Sequence, residues 1–181
     1  MHKYVLKVLI TEDQIKNRMK ELGKQISDDY KGKNLFIISV LKGSVIFISD
    51  LIRAIDIDLE IDFMAVSSYA DGSLRSTGVV KILKDLDMAI NGKDVLIVED
   101  ILDSGLTLSY IKEILIKRDP KSIKIVTLLN KIERREKDID ADYVGFEIPD
   151  EFVIGYGLDY KEKYRNLKYI GIMDPKYILK T

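Results

Sequence analysis

The sequence predicts an α/β fold: a mainly parallel, twisted sheet flanked by helices, with a small hood lobe formed by the N- and C-terminal segments. Continuous β-branched runs at 34–40, 94–100 and 122–129 suit strands buried on both faces, because parallel sheets are covered on both sides. Segments of helical period fall between these runs. The strand–helix–strand rhythm recurs along the chain, which implies parallel pairing through crossovers. With 181 residues, the chain suits one domain, read here as 1–181 with the hood built from terminal segments.

Residues 4–10 (YVLKVLI) read as a short strand or extended lead-in. Thr11 then opens a helix, with Gln14 three residues on as its capping-box partner. Ile15, Met19, Leu22 and Ile26 share one apolar face, and Gly32 ends the segment. NLFIISV (34–40) is a buried strand, LKGS (41–44) a loop and 45–55 a helix. LEIDFMAVSSY (59–69) reads as the next strand. ADGSLRSTG (70–78) is polar and closes with Gly, so a mobile excursion is expected there. VVKILKDL (79–86) alternates and serves as the antiparallel partner strand. DVLIVED (94–100) is a buried strand, ILDSG (101–105) a loop, and Thr107 starts a helix carrying Leu108, Ile111 and Leu115 on one side. SIKIVTLL (122–129) follows, then shorter strands at 142–148, 152–157 and 168–173.

Composition removes several kinds of chemistry. Formal net charge is −1, so any basic site is local, and broad nucleic-acid binding, which requires neutralisation of many phosphates, is not expected. There is no cysteine, which excludes disulfides, thiolate metal sites and a cysteine nucleophile. The single histidine, His2, is expected at a mobile terminus, which argues against a Ser-His-Asp triad or a histidine zinc site. Acid–base chemistry therefore falls to Asp, Glu, Lys or Tyr, and any metal should be a hard cation held by oxygen. The N-terminus lacks a secretory apolar region and no apolar run reaches spanning length, so the expected compartment is the cytoplasm, without membrane partners.

Ligands of open parallel sheets bind at the carboxyl ends of the strands, which directs attention to VLIVEDILDSGLTLSYI (95–111). Glu99 and Asp100 end a buried strand, Asp103 follows, and Ser104, Gly105 and Thr107 lead into a helix. Small residues before a helix N-terminus leave amide N–H groups open to an anion such as a terminal phosphate. Adjacent carboxylates accept hydrogen bonds from a vicinal diol, as ribose presents. Acids after a strand are also common, and Asp or Ser before a helix is an ordinary N-cap. A receiver domain likewise carries paired acids, though after its first strand, whereas here they lie mid-chain.

VEDILDSGLTL resembles the phosphoribosyl pyrophosphate-binding motif of type I phosphoribosyltransferases. Over nearly its whole length the chain is similar to the hypoxanthine-guanine phosphoribosyltransferase family. The supporting segments are LKGS (41–44), SSY (67–69), Lys131 after a strand, and PDEFVIGYGLDYKEKYR (149–165), in the family's order. The resemblance implies purine salvage: hypoxanthine or guanine plus 5-phosphoribosyl 1-pyrophosphate gives IMP or GMP plus pyrophosphate, with Mg2+. It implies that Glu99 and Asp100 hold the ribose hydroxyls directly or through magnesium, and that Asp103, Ser104, Gly105, Leu106 and Thr107 hold the 5-phosphate. Leu106 departs from a lysine found in some members. Asp103 corresponds to the general acid–base near the purine's five-membered ring.

For pyrophosphate, the resemblance implies Leu41, Lys42 and Gly43, across a Leu41–Lys42 peptide that can be cis, together with Arg165. Ser68 and Tyr69 match the functional pair of the family's flexible loop. Lys131 corresponds to the contact with the purine's exocyclic oxygen, Phe152 to the stacking aromatic and Val153 to a backbone contact with the base. Asp159, counted with the purine site, corresponds to a carboxylate holding a second magnesium through water. Without the resemblance, Lys131 reads as a loop lysine and Phe152 as a core aromatic. Family members form dimers or tetramers. The competing expectations are a transferase of the same fold preferring xanthine, and a non-catalytic nucleotide sensor that binds RNA. Retention of Lys42, Asp103 and Arg165 argues against lost catalysis.

Overall fold

The computed structural model describes residues 2–68 and 80–178. Six strands form the main sheet: β2 (Leu35–Leu41), β3 (Leu59–Ser68), β4 (Val80–Lys84), β5 (Asp94–Leu102), β6 (Ser122–Asn130) and β7 (Tyr143–Glu147), in the order β4-β3-β2-β5-β6-β7. All neighbours are parallel except β3 and β4. A second, antiparallel sheet joins β1 (Val5–Ile10), β9 (Ile170–Met173) and β8 (Val153–Ile154) in the order β1-β9-β8. The two chain ends thus meet through β1 and β9, the segments from which a hood was expected.

The apolar periodicity places the helices. Helix α1 (Glu12–Asp29) buries Ile15, Met19, Leu22 and Ile26, and α2 (Val45–Ala54) buries Phe47, Ile48 and Leu51. These side chains pack with Leu35 and Ile37 of β2 and Leu96 and Val98 of β5. The alternate residues of the same strands, Phe36, Ile38, Val95 and Ile97, pack with Leu108, Ile111 and Leu115 of α3 (Leu106–Ile116). Because both faces are covered, both sets of alternating side chains must be apolar, which produces the continuous hydrophobic runs. Thr11 and Gln14 form the reciprocal cap of α1: each backbone N–H is taken by the other's side chain.

Several boundaries differ from expectation: α1 ends at Asp29, α3 starts at Leu106 and β9 starts at Ile170. Strand β5 continues through Ile101 and Leu102, which pair with Leu129 and Asn130, so the loop begins only at Asp103. The segment 152–157 contributes only two strand residues, because Gly155, Tyr156 and Gly157 all have positive φ and turn the chain. His2 is anchored: its backbone N–H donates to the Tyr169 hydroxyl at 2.8 Å, and its ring packs against Tyr4 and Tyr164. Among the described residues, no helix is long and apolar enough to cross a membrane.

The chain turns in opposite directions from β2 and β5: β2 leads through α2 to β3 on one side, and β5 leads through α3 to β6 on the other. The strand order therefore reverses between β2 and β5, and the crevice at their carboxyl ends is where such sheets bind ligands. Phe47, fully buried in α2, packs in the core that joins α1 and α2 to β2 and β5. Phe47→Ala should cost about 3–5 kcal/mol, measured by denaturant unfolding, from lost burial and the cavity left behind.

Candidate active site

At the tip of β5, Glu99 Oε2 and Asp103 Oδ1 are buried without a hydrogen-bond partner among the described residues. Two adjoining cavities open there. One, of about 240 Å³, is lined by Leu41, Gly43, Glu99, Asp100, Asp159 and Arg165, among others. The other, of about 230 Å³, is lined by Glu99, Asp103, Ser104, Gly105 and Thr107 with nearby apolar residues. Glu99 and Thr107 border both. Burial raises the Glu99 carboxyl well above its ordinary range, and the neighbouring Asp100 charge pushes it further. Burial also raises Asp100, against the opposing hydrogen bonds to its carboxylate. Asp100 Oδ1 accepts the Ile101 N–H at 2.8 Å.

The N-termini of α2 and α3 lie at this tip, and in neither does the N-cap residue cap the helix with its own side chain; the Leu106 N–H donates only a long bond, 3.4 Å, to Ser104 Oγ. The N-cap of α3 is Gly105, in the left-handed region at φ 81°, with no side chain to give. The N-cap of α2 is Ser44, whose hydroxyl turns away to the Val40 carbonyl and to Ser39 Oγ, the latter at 2.7 Å. Helix α1, by contrast, has its complete capping box. The first amides of a helix lie at the positive end of its dipole, and here Val45 and Leu106 make only long bonds, to the Lys42 carbonyl at 3.2 Å and to Ser104 Oγ at 3.4 Å, which a phosphate could replace. The 103–105 loop is held by Ser104, whose carbonyl accepts the N–H groups of Glu136 and Lys137 at 2.9 and 3.1 Å.

The Leu41–Lys42 peptide is cis. Gly43 follows it, and a Cβ there would lie 1.6 Å from Asp100 Oδ2. On its other side, a Cβ on Gly157, at φ 102°, would lie 2.0 Å from the Gly43 carbonyl oxygen. Absent side chains at 43 and 157 therefore let three segments meet: the β2–α2 loop, the β5 tip and the turn after β8.

A second group of charges runs along one edge. Arg134 Nη1 lies 3.4 Å from Asp103 Oδ2, and Arg134 Nε lies 3.7 Å from Asp150 Oδ1. Lys131 Nζ reaches the same Asp150 oxygen at 3.5 Å. Lys131, just past β6, is only 5% exposed, so the plain loop-lysine alternative does not hold. Phe152 is 38% exposed and meets the Tyr160 ring edge-on at 5.7 Å, so it is not a core aromatic either. Val153 is buried in β8. Asp159 uses both oxygens: Oδ1 lies 3.0 Å from Arg165 Nη2, and Oδ2 accepts the Glu162 N–H at 2.8 Å.

Known proteins resemble this chain in both sequence and structure. The phosphoribosyl transferase domain family matches residues 10–161. A hypoxanthine-guanine phosphoribosyltransferase of Staphylococcus aureus is 57% identical over 97% of this chain and 98% of its own. The chain belongs to this family. A crystal structure of a Staphylococcus aureus hypoxanthine phosphoribosyltransferase superposes with a TM-score of 0.96 at 56% identity, covering 99% of this chain and 97% of that one. The bifunctional protein TilS/HprT of Listeria monocytogenes is 52% identical over 97% of this chain, which spans only 27% of that longer protein.

Among the residues expected for the site, Leu41, Gly43, Glu99, Asp100, Asp159 and Arg165 share one cavity, and Asp103, Ser104, Gly105 and Thr107 share the adjoining one with Glu99. Leu106 is the first residue of α3. Ser68 ends β3, and Tyr69 lies outside the described residues. Among the described residues, no three of His, Cys, Asp and Glu converge as a metal cage. The unpartnered Glu99 beside Asp100 nevertheless fits a magnesium ion that takes one or two carboxylates and completes its shell with phosphate oxygens and water. Sequence reasoning missed Arg134, Asp150 and Glu162. They sit in mixed charged runs with no periodic signal, and only the fold brings them to the site.

The raised carboxyl has a measurable consequence. Where the folded pKa exceeds the unfolded one, the folded state binds more protons between the two values, so stability falls as pH rises through that window. For Glu99 the window opens upward from about its ordinary 4.5. In chelator, wild-type thermal stability should decline more steeply above that pH than Glu99→Gln, leaving the variant with the higher Tm at neutral pH, by ~2–4 °C per kcal/mol relieved. Identical pH slopes in thermal melts would show that Glu99 carries no such penalty.

Proposed function

We propose that the chain transfers the phosphoribosyl group of 5-phosphoribosyl 1-pyrophosphate to hypoxanthine or guanine, yielding IMP or GMP and pyrophosphate. The carrying observation is the β5 tip: buried carboxylate oxygens of Glu99 and Asp103 without a partner among the described residues, beside a helix whose N-cap is a glycine, a cradle suited to a ribose bearing a terminal phosphate. In this reading the 5-phosphate rests on the 103–107 loop and the α3 amides, and the ribose hydroxyls face Glu99 and Asp100. Lys42, the amides following Leu41, and Arg165 receive the pyrophosphate. Magnesium, held by Glu99 and Asp100 and a second ion by Asp159 through water, would neutralise phosphate charge when bound.

The bond from the anomeric carbon to pyrophosphate oxygen breaks, and a bond to an imidazole-ring nitrogen of the purine forms. Charge accumulates on the leaving pyrophosphate, where Lys42 and Arg165 stabilise it electrostatically. The proton displaced from the purine nitrogen passes to Asp103, whose buried Oδ1 is free to accept it. Lys131 donates to the exocyclic oxygen of a 6-oxopurine, Phe152 stacks on the base, and Val153 offers backbone to its edge. Ser68, at the end of β3, and Tyr69, outside the described residues, are assigned by the family resemblance to keeping water from the reacting centre. A cytoplasmic homodimer or homotetramer without nucleic-acid or membrane partners completes the reading.

Base-dependent release of pyrophosphate, measured with each purine base and magnesium, tests this proposal; its absence with hypoxanthine and guanine rejects it. In that assay Asp103→Asn should lower kcat about 10²–10⁴-fold while leaving phosphoribosyl pyrophosphate binding close to wild type. Near-normal turnover would remove Asp103 from the proton transfer. Lys131→Ala should reduce the preference for 6-oxopurines over adenine, read as the ratio of kcat/KM values, by on the order of tenfold or more, because the exocyclic oxygen loses a charged donor. An unchanged ratio would place oxygen recognition elsewhere.

A further inference from the structure

Lys42 and Arg165, the two cations assigned above to pyrophosphate, are joined by one carboxylate. Glu162 Oε2 lies 3.0 Å from Lys42 Nζ, and Glu162 Oε1 lies 3.3 Å from Arg165 Nη2. Each oxygen takes one cation, much as neighbouring phosphoryl oxygens would. Glu162 is presented by a tight turn: Tyr160 and Lys163 exchange backbone hydrogen bonds, both at 3.1 Å, with Lys161 and Glu162 at the tip. Both tip residues have positive φ, 52° and 62°. Gly, Asn and Asp adopt that geometry most readily, so a Glu placed there is held against its backbone preference. Asp159 fixes the turn from below by accepting the Glu162 N–H while it pairs with Arg165.

The contact is also exposed. The Lys42 and Glu162 side chains are 70% and 65% accessible, so water screens the pair and it contributes weakly. A diphosphate carries more charge than one carboxylate and can take both cations from it. Resting on the transferase reading, we infer that Glu162 is a displaceable anion: it holds Lys42 and Arg165 in place between turnovers, yields to the pyrophosphate of the substrate, and re-enters to help the product leave. Its carboxylate competes with pyrophosphate for the same two donors.

Magnesium pyrophosphate titrated into the full chain by calorimetry, paired with product-inhibition kinetics, tests this. Glu162→Gln should bind pyrophosphate about two- to fivefold tighter and release it correspondingly more slowly, lowering KM for phosphoribosyl pyrophosphate without raising kcat. Glu162→Asp keeps the charge and suits the turn but withdraws the carboxylate by one methylene, and should fall between the two. In a Lys42→Met background the gain from Glu162→Gln should shrink by half or more. Unchanged or weaker binding in Glu162→Gln overturns the inference, and so does equal tightening with and without Lys42, which would reflect only the loss of a nearby negative charge. Failure of the wild type itself to bind pyrophosphate would instead reject the underlying transferase reading.

Discussion

Glu99 and Asp100 are adjacent acids carried into the crevice by a strand whose preceding residues are fully buried, and the protein gives them little to neutralise them. A carboxylate in that position costs folding energy unless a cation or hydrogen-bond donor arrives. The neighbouring structure supplies none for Glu99 Oε2. It offers the N-terminal turns of two helices and the Arg165 guanidinium lining the cavity, so the crevice combines regions suited to cations, hydroxyls and phosphates. Such arrangements trade stability for binding, which is characteristic of functional sites.

The architecture around the tip follows from this demand. Strand β5 sits centrally, paired on both edges by β2 and β6 and covered on both faces. The strand order reverses beside it, opening the crevice. Gly43 and Gly157 then bring the pyrophosphate-facing loop and the C-terminal turn against Asp100 without intervening side chains. The terminal sheet, through β8, positions Val153 next to Phe152 at the edge where base recognition is proposed.

Much of this could be read from the chain. The buried strands announced themselves as unbroken apolar runs, the α1 cap as Thr11 with Gln14, and the tip as an apolar run ending in acids. Strand β5 was expected to stop early because Asp100 interrupts the apolar pattern, yet the backbone ladder to β6 continues beneath it through Leu102. The 152–157 strand was overestimated because three consecutive positive-φ residues, one of them Tyr156, cannot be inferred from hydrophobicity. Glu162 and Arg134 were invisible for another reason: although Glu162 also meets the nearby Arg165, the contacts that tie each to the site, with Lys42 and Asp103, span 120 and 31 residues, and a surface charge carries no local trace of such a partner.

The alternating charges Asp103, Arg134, Asp150 and Lys131 connect the proposed proton acceptor to the proposed base-reading lysine through exposed and half-exposed groups. Anyone redesigning the pocket for a different nucleobase would therefore be working on a wired circuit rather than a separate module. Deleting the amine at one end would leave Arg134 as the remaining partner of Asp150 and shift its pairing with the acid at the other end by no more than the ~1 kcal/mol that such half-exposed pairs contribute. Altered selectivity and altered speed should arrive together in such redesigns, and recovering one without the other would call for a replacement counter-charge beside Asp150.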